Sequence, residues 1–147
     1  MFSSPAALWR CAREIVDLLA SRLHILAPGV DISEEAANSY QPNVIVVGRP
    51  CQEMSEAALG EVLLHEMAHH LAMRRYLRLN AAERFEQQSA FLSEKLDLPV
   101  FHGAAFCKAL ADVAEAWYGD ATRYPWAREP QSVQRWAEQH GYVNLAA

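Results

Sequence analysis

The chain has 147 residues, of which 52% are hydrophobic and 21% charged, and its formal net charge at pH 7 is −5. These values are typical of one globular domain with a real core. They argue against a nucleic-acid-binding protein, which normally carries a basic surface. Three cysteines without a CxxC pair argue against both a disulfide framework and a zinc ribbon. No apolar run is long enough for a membrane span or a signal-peptide core, so we expect a cytoplasmic protein.

The first predicted element is a helix from Pro5 to Leu26. Ser4 can cap it, and Pro5 suits its first turn because that position lacks an N–H partner in any helix. Ala27-Pro28-Gly29 should end it. Apolar residues recur at helical spacing and predict one buried stripe, formed by Leu8, Ile15, Leu18, Leu19, Leu23 and Leu26.

The strongest predicted strand is Asn43–Gly48, which reads NVIVVG. It is rich in β-branched residues and is bounded by Pro42 and by Gly48-Arg49-Pro50. A shorter strand is predicted at Val30–Ile32, followed by a polar loop through Asn38. Since the sequence has little other β pattern, we expect an α+β fold, mostly helical, with a small sheet of two or three strands beside the next helix.

That next helix carries the HExxH motif, His65-Glu66-Met67-Ala68-His69. Ser55 can cap it, and the following run, AALGEVLLHEMAHHLAMRRYLRL, contains no proline. Positions i and i+4 lie one above the other on a helix, so His65 and His69 can bind one metal ion. Glu66 is then placed to act as a general base toward water on that metal, as in zinc peptidases. His70 points about 100° away from His69 and is predicted to be structural or partly exposed.

A catalytic zinc normally has three protein ligands, so a third must come from elsewhere in the chain. The pattern HExxHxxGxxH is excluded, because Ala72 and Arg75 stand where it requires glycine and histidine. Residues alone leave two kinds of candidate open: a histidine, His102, or one of the acids Glu83, Glu86 and Glu94.

Three more helices are predicted after the motif helix. The first spans Ala81–Leu96 and has an apolar face that includes Phe85. After an extended connector at Leu98–Phe101, the second spans Ala104–Tyr118. The last spans Gln131–His140. Near the predicted site, Asp112 or Glu115 could orient a ligand imidazole by accepting a hydrogen bond. Tyr118 or Tyr124 could stabilise an oxyanion, although packing against the core is the simpler role for either ring.

The pair of motifs HExxH and HGxxF, here His65–His69 and His102–Phe106, resembles the SprT-like metallopeptidases. It is still more similar to the small zinc metallohydrolases of actinobacteria and their phages. The resemblance covers roughly residues 43 to 118 and implies a zincin-like domain over residues 1–147. It also implies three zinc ligands, His65, His69 and His102, with Phe106 packed beneath the site. In SprT-like proteins the two motifs lie closer together; here 33 positions separate His69 from His102, which indicates an inserted helix and keeps the glutamate alternatives open.

The expected function is zinc-dependent hydrolysis of a peptide bond, with Glu66 as general base and Zn²⁺ as cofactor. Nickel, cobalt or iron could occupy the same ligands. The expected partner is a peptide or protein substrate, with no membrane and no nucleic acid; the oligomeric state stays open. Two alternatives remain: a non-peptide amidohydrolase, and a metal-stabilised binding or regulatory module without turnover.

Overall fold

A computed structural model describes residues 1–86 and 102–143 of the chain. By their internal contacts the residues form two units, Met1–His70 and Leu71–Ala147, and the division falls inside one continuous helix. The predicted fold class is confirmed: the described chain is α+β, mostly helical, with one three-stranded sheet. The assignment of residues 1–147 to a single domain stays a prediction.

Helix α1 spans Pro5–Leu23 and begins as predicted, because the Ser4 hydroxyl accepts a hydrogen bond from the Ala7 N–H at 3.1 Å. Its predicted end at Leu26 is wrong. His24 adopts a left-handed backbone conformation with φ of 55°, and its N–H and that of Ile25 bond back to the last turn. The buried stripe predicted for this helix is also wrong at two positions. Leu8, Ile15 and Leu19 are buried, whereas Leu18 and Leu26 are exposed.

The sheet of the first unit has the order β1-β3-β2, with β1 at Gly29–Ser33, β2 at Ser39–Gln41 and β3 at Val44–Gly48. Strand β1 runs parallel to β3, and β2 runs antiparallel to it. Both predicted strands are present, but the sequence analysis missed β2. Asn43, predicted as the first residue of a strand, instead lies in the β2–β3 turn with φ of 66°. Asparagine tolerates this left-handed conformation better than most residues.

Helix α2 spans Glu56–Leu77 and carries the HExxH motif. The predicted cap is present, since the Ser55 hydroxyl accepts a hydrogen bond from the Ala58 N–H at 3.1 Å. In the first unit, α1 packs against β1, and the core takes apolar side chains from α1, the sheet and the first four turns of α2. From α2 these are Leu59, Leu63, Leu64, Met67 and Ala68.

The second unit continues α2 and adds helix α3 at Ala104–Tyr118 and helix α4 at Gln131–Gln139. Two short 3₁₀ turns, Ala121–Arg123 and Trp126–Arg128, lie between them. Helix α3 packs against α4 and against the first of these turns. The predicted bounds of α3 are confirmed, and α4 ends one residue before the predicted His140.

The helix predicted at Ala81–Leu96 is described only in part. Residues 81–86 are helical, and Asn80 and Glu83 cap their start, each side chain bonding the other's backbone N–H. Phe85, a member of the predicted apolar face, is 70% exposed. The rest of that helix, including Glu94, and the connector Leu98–Phe101 lie outside the described residues. In the described ranges, the structure contains no helix that is both long and apolar enough to cross a membrane.

Candidate metal centre

In the first unit, His65 and His69 project from successive turns of α2. Their ring centroids are 5.1 Å apart, and the ring planes are inclined by 70°. His69 is buried, with 9% of its surface exposed, and His65 is half-buried. The helix is regular through this stretch, so the i, i+4 spacing alone sets the two imidazoles side by side.

In the second unit, His102 lies just before α3, and Gly103 is the residue that precedes the first helical position. The Phe106 ring packs edge-on against the His102 ring, with centroids 4.7 Å apart and planes inclined by 66°. Phe106 itself is fully buried. A buried ring in this contact limits the orientations open to the imidazole, so Phe106 helps to orient His102.

The three histidines come together: one ligand nitrogen each from His65, His69 and His102 lie within 4.8 Å of one another. Around a tetrahedral zinc ion, with Zn–N bonds of about 2.0–2.1 Å, ligand nitrogens are about 3.3 Å apart. The remaining difference of about 1.5 Å is within the reach of small χ rotations of imidazole side chains. Three neutral imidazoles are also a donor set that suits zinc. The residues present therefore fit a zinc ion.

Glu66, the motif residue predicted to be the general base, is buried, with 6% of its surface exposed. It follows His65 directly, so its side chain lies about 100° around the helix from that ligand. A buried carboxylate is costly unless it has polar or charged partners, and Glu66 does have such interactions. Its placement inside the protein, rather than in solvent, is what a general base near a metal requires.

His70 is fully buried at 1% exposure and bonds through both ring nitrogens. Its Nε2 lies 2.8 Å from the Leu26 carbonyl oxygen, and its Nδ1 lies 2.8 Å from the Tyr40 hydroxyl. A carbonyl can only accept, so Nε2 carries the proton, and in a neutral ring Nδ1 accepts from Tyr40. The Tyr40 oxygen in turn accepts from the Asn43 N–H at 3.1 Å. Of the two roles predicted for His70, the structural one fits this buried, doubly bonded ring, and partial exposure is wrong.

Tyr40 is the residue near the site that the sequence analysis missed. Its ring is nearly parallel to that of His69, with an interplanar angle of 13° and centroids 6.4 Å apart, and it meets His70 edge-on at 5.5 Å. Tyr40 lies on β2, the strand that was also missed. An aromatic residue in a polar segment before a proline was the only available signal, and it does not identify a contact with His69.

The other candidate ligands and supporting residues lie elsewhere. The carboxylate of Glu83 caps the helical segment at Asn80, and Glu86 is exposed. Within the described ranges, the group of three potential ligands consists of the three histidines, and neither glutamate belongs to it. Asp112 binds Arg75 and Lys108, and Glu115 is exposed.

The two tyrosines considered for oxyanion stabilisation also have other contacts. Tyr124 is buried, and its hydroxyl donates to the Glu129 carboxylate at 2.5 Å. The Arg123 guanidinium carbon lies 5.7 Å from the centroid of the half-buried Tyr118 ring. Both side chains therefore contribute to the packing of the second unit.

No protein-family model matches this chain, and no curated protein or solved structure matches it either. The similarity to SprT-like peptidases and to the small actinobacterial and phage metallohydrolases thus rests on the two motifs, and it stays a prediction.

Proposed function

We propose that the protein is a zinc-dependent metallohydrolase that cleaves peptide bonds. The observation that carries the proposal is the convergence of His65, His69 and His102, with ligand nitrogens within 4.8 Å of one another. Glu66, adjacent to the first of them and buried, completes the minimum set for hydrolysis. Three protein ligands would leave a fourth position for water or substrate, which is the arrangement of catalytic rather than structural zinc.

In this proposal each side chain has one role. The three histidines hold the ion through neutral imidazole nitrogens. A bound zinc ion supplies Lewis acidity and lowers the pKa of water to about 7. Glu66 accepts the proton of the attacking water and passes it to the leaving nitrogen, so one carboxylate acts first as base and then as acid. Phe106 restricts the His102 ring by packing on it.

The same proposal places the protein in the cytoplasm. Cys11, Cys51 and Cys107 are all free thiols, as expected in a reducing compartment. Burial raises the pKa of the Cys51 thiol and, together with the Glu56 carboxylate, that of Cys11. These two thiols are thus poor nucleophiles and poor metal ligands near pH 7, because the thiolate is the reactive form.

Metal content tests the ligand set. Protein purified without added metal is analysed for zinc by elemental analysis, as wild type, His102→Ala and Glu86→Ala. The expected result is about one zinc per chain for wild type and Glu86→Ala, and a loss of at least tenfold in zinc affinity for His102→Ala. Glu86→Ala is the matched control, because Glu86 is exposed and was the strongest alternative ligand. Zinc retained in His102→Ala but lost in Glu86→Ala would overturn the assignment.

Glu66→Gln separates catalysis from metal binding. Since glutamine is nearly isosteric but cannot accept the proton, we expect this variant to keep its zinc while its kcat on a peptide library falls by about 10²-fold or more. Equal turnover in Glu66→Gln and wild type would exclude Glu66 as the base. Zinc binding with no hydrolysis of any peptide by wild type would favour a metal-stabilised binding module instead.

A further inference from the structure

A small cavity of about 140 Å³ lies in the second unit, between the end of α2 and the start of α3. Its walls are mostly apolar. They are formed by Ala72, Tyr76 and Leu79 of the α2 side and Ala105 of α3, together with Arg75 and Lys108. At about 30 Å³ for each water-sized group, it has room for about four or five heavy atoms. That is the size of a leucine or methionine side chain.

The edge of this cavity is positively charged. Arg75 and Lys108 share one carboxylate, that of Asp112, with N···O distances of 2.6 and 3.1 Å. Their side chains are 44% and 61% exposed, respectively, so both remain accessible from solvent. Two cations against one carboxylate leave a local excess of one positive charge. In a chain with net charge −5, this excess is a local property of the cavity edge.

A third cation lies beside the Tyr76 wall. The guanidinium carbon of Arg84 lies 5.6 Å from the Tyr76 ring centroid, and its Nη2 donates to the Leu77 carbonyl oxygen at 2.6 Å. Neither of these two contacts brings an opposite full charge to Arg84. The charge of Arg84 therefore adds to the positive potential next to the cavity.

The cavity is also near the candidate ligands along both helices. Ala72 follows His69 by three residues in α2, and Ala105 follows His102 by three residues at the start of α3. Three residues of helix rise about 4.5 Å, whereas an extended peptide rises about 3.3 Å per residue. A substrate residue one or two positions from the bond to be cleaved could thus reach this cavity.

We propose that this cavity is a substrate subsite that takes an apolar side chain, such as leucine, from a peptide whose adjacent residue is acidic. The apolar side chain would fill the space lined by Ala72, Leu79 and Ala105, and the carboxylate would lie against Lys108 and Arg75. This inference rests on the proposed peptidase function, because it names the substrate class of that site. Phosphate-rich ligands such as nucleic acid would gain from the charge but not from the apolar walls.

Binding of short peptides tests the subsite independently of turnover. The full-length, zinc-loaded Glu66→Gln protein, labelled with ¹⁵N, is titrated with acetyl-Leu-Glu-amide, acetyl-Leu-Gln-amide and acetyl-Gly-Glu-amide. We expect the Ala72, Ala105 and Lys108 amide signals to shift. Leu-Glu should bind about fivefold more tightly than Leu-Gln at about 20 mM salt, with the preference shrinking at higher salt. Replacing leucine by glycine should weaken binding about tenfold.

Two charge-reversal variants make the test specific. Lys108→Glu should abolish the preference for Leu-Glu over Leu-Gln. Arg49→Glu is the matched control, since Arg49 is an exposed cation that also pairs with one carboxylate, Glu34, at 2.7 Å. The Arg49→Glu protein should still bind Leu-Glu more tightly than Leu-Gln. Equal binding of Leu-Glu and Leu-Gln, or the same loss in both variants, would overturn the proposal.

The outcomes also separate the subsite from the catalytic function. The same titration of metal-free wild type does not depend on hydrolysis. If the wild-type protein takes up no zinc, but its Ala72, Ala105 and Lys108 amide signals still show tighter binding of Leu-Glu than of Leu-Gln, the subsite is supported and the metallopeptidase is refuted. Conversely, zinc-dependent cleavage of a peptide library without enrichment of adjacent apolar and acidic residues would refute the subsite and leave the metallopeptidase intact.

Discussion

Replacing His70 by leucine should lower the free energy of unfolding by about 1–3 kcal/mol, because two hydrogen-bonding groups lose their partner. His70 is 1% exposed, and both of its ring nitrogens make 2.8 Å contacts. The Leu26 carbonyl and the Tyr40 hydroxyl each lose this bond, which costs about 1–3 kcal/mol when the group is left buried and unsatisfied, but Leu26 is exposed and its carbonyl can bond to water instead. The half-buried Tyr40 can turn toward water, which keeps the sum below the upper limit. Against a typical total of about 5–15 kcal/mol, this is a large loss.

Tyr40→Phe is the milder variant of the same network. It keeps the ring beside His69 but removes the hydroxyl that bonds His70. The free energy of unfolding should fall by about 1–2 kcal/mol. Nδ1 of His70 is left buried without the hydroxyl, whereas the Asn43 N–H can bond to water instead. When His70→Leu and Tyr40→Phe are combined, their losses of unfolding free energy should not add. The coupling free energy between the two sites should be about 1 kcal/mol.

Urea unfolding in the presence of a chelator, followed by circular dichroism, measures these losses without a contribution from bound metal. His140→Leu is the control: this histidine is exposed, and its Nδ1 lies 2.7 Å from the Trp136 carbonyl oxygen of its own helix. We expect a change of about 0.5 kcal/mol or less there. Unchanged stability of the His70→Leu protein would refute the structural role of His70.

Two further predictions concern the first unit. Gly48→Ala should cost about 2 kcal/mol or more in thermal unfolding, because a Cβ there would lie 2.6 Å from the Ala36 carbonyl oxygen. Gly29→Ala, whose Cβ would have only ordinary contacts at 3.7 Å, is its control. Burial and the Glu56 carboxylate raise the pKa of Cys11 to about 11. Alkylation of Cys11 at pH 8 should thus be at least about 100-fold slower in folded than in urea-unfolded protein, by mass spectrometry. Because the raised pKa favours the protonated folded state, the Cys11 contribution to stability is complete below about pH 9 and declines toward pH 11. Cys11→Ser should flatten that decline, and equal labelling rates would contradict the raised pKa.

The parts of the fold that could be predicted from sequence depend on local chemistry. Ser4 and Ser55 cap α1 and α2 where a serine precedes a helical pattern. The placement of His65 beside His69 follows from helix geometry alone. The grouping of both with His102 was suggested by the HGxxF motif, because residue types by themselves left glutamates from the intervening segment open.

The parts that could not be predicted depend on tertiary contacts. Strand β2 has three residues, too few for an alternating pattern, and it forms because β3 offers it an edge. The early end of α1 is set by the left-handed His24, a residue type without a strong preference for that conformation. The role of Tyr40 depends on both of these features, since its partner network includes Leu26, just after α1, and its own strand is β2.

The adjacent histidines His69 and His70 have different roles because they point about 100° apart. His70 is bonded at both nitrogens to groups on separate segments, Leu26 and Tyr40. A rotation of α2 by about 15° about its axis would move atoms at a radius of about 5–6 Å by about 1.5 Å, enough to break bonds of this length. The His70 network therefore fixes the rotation of α2, and with it the direction in which His65 and His69 project. The residual difference between the observed spacing and that of a zinc site is then left to side-chain torsions, which cost little to adjust.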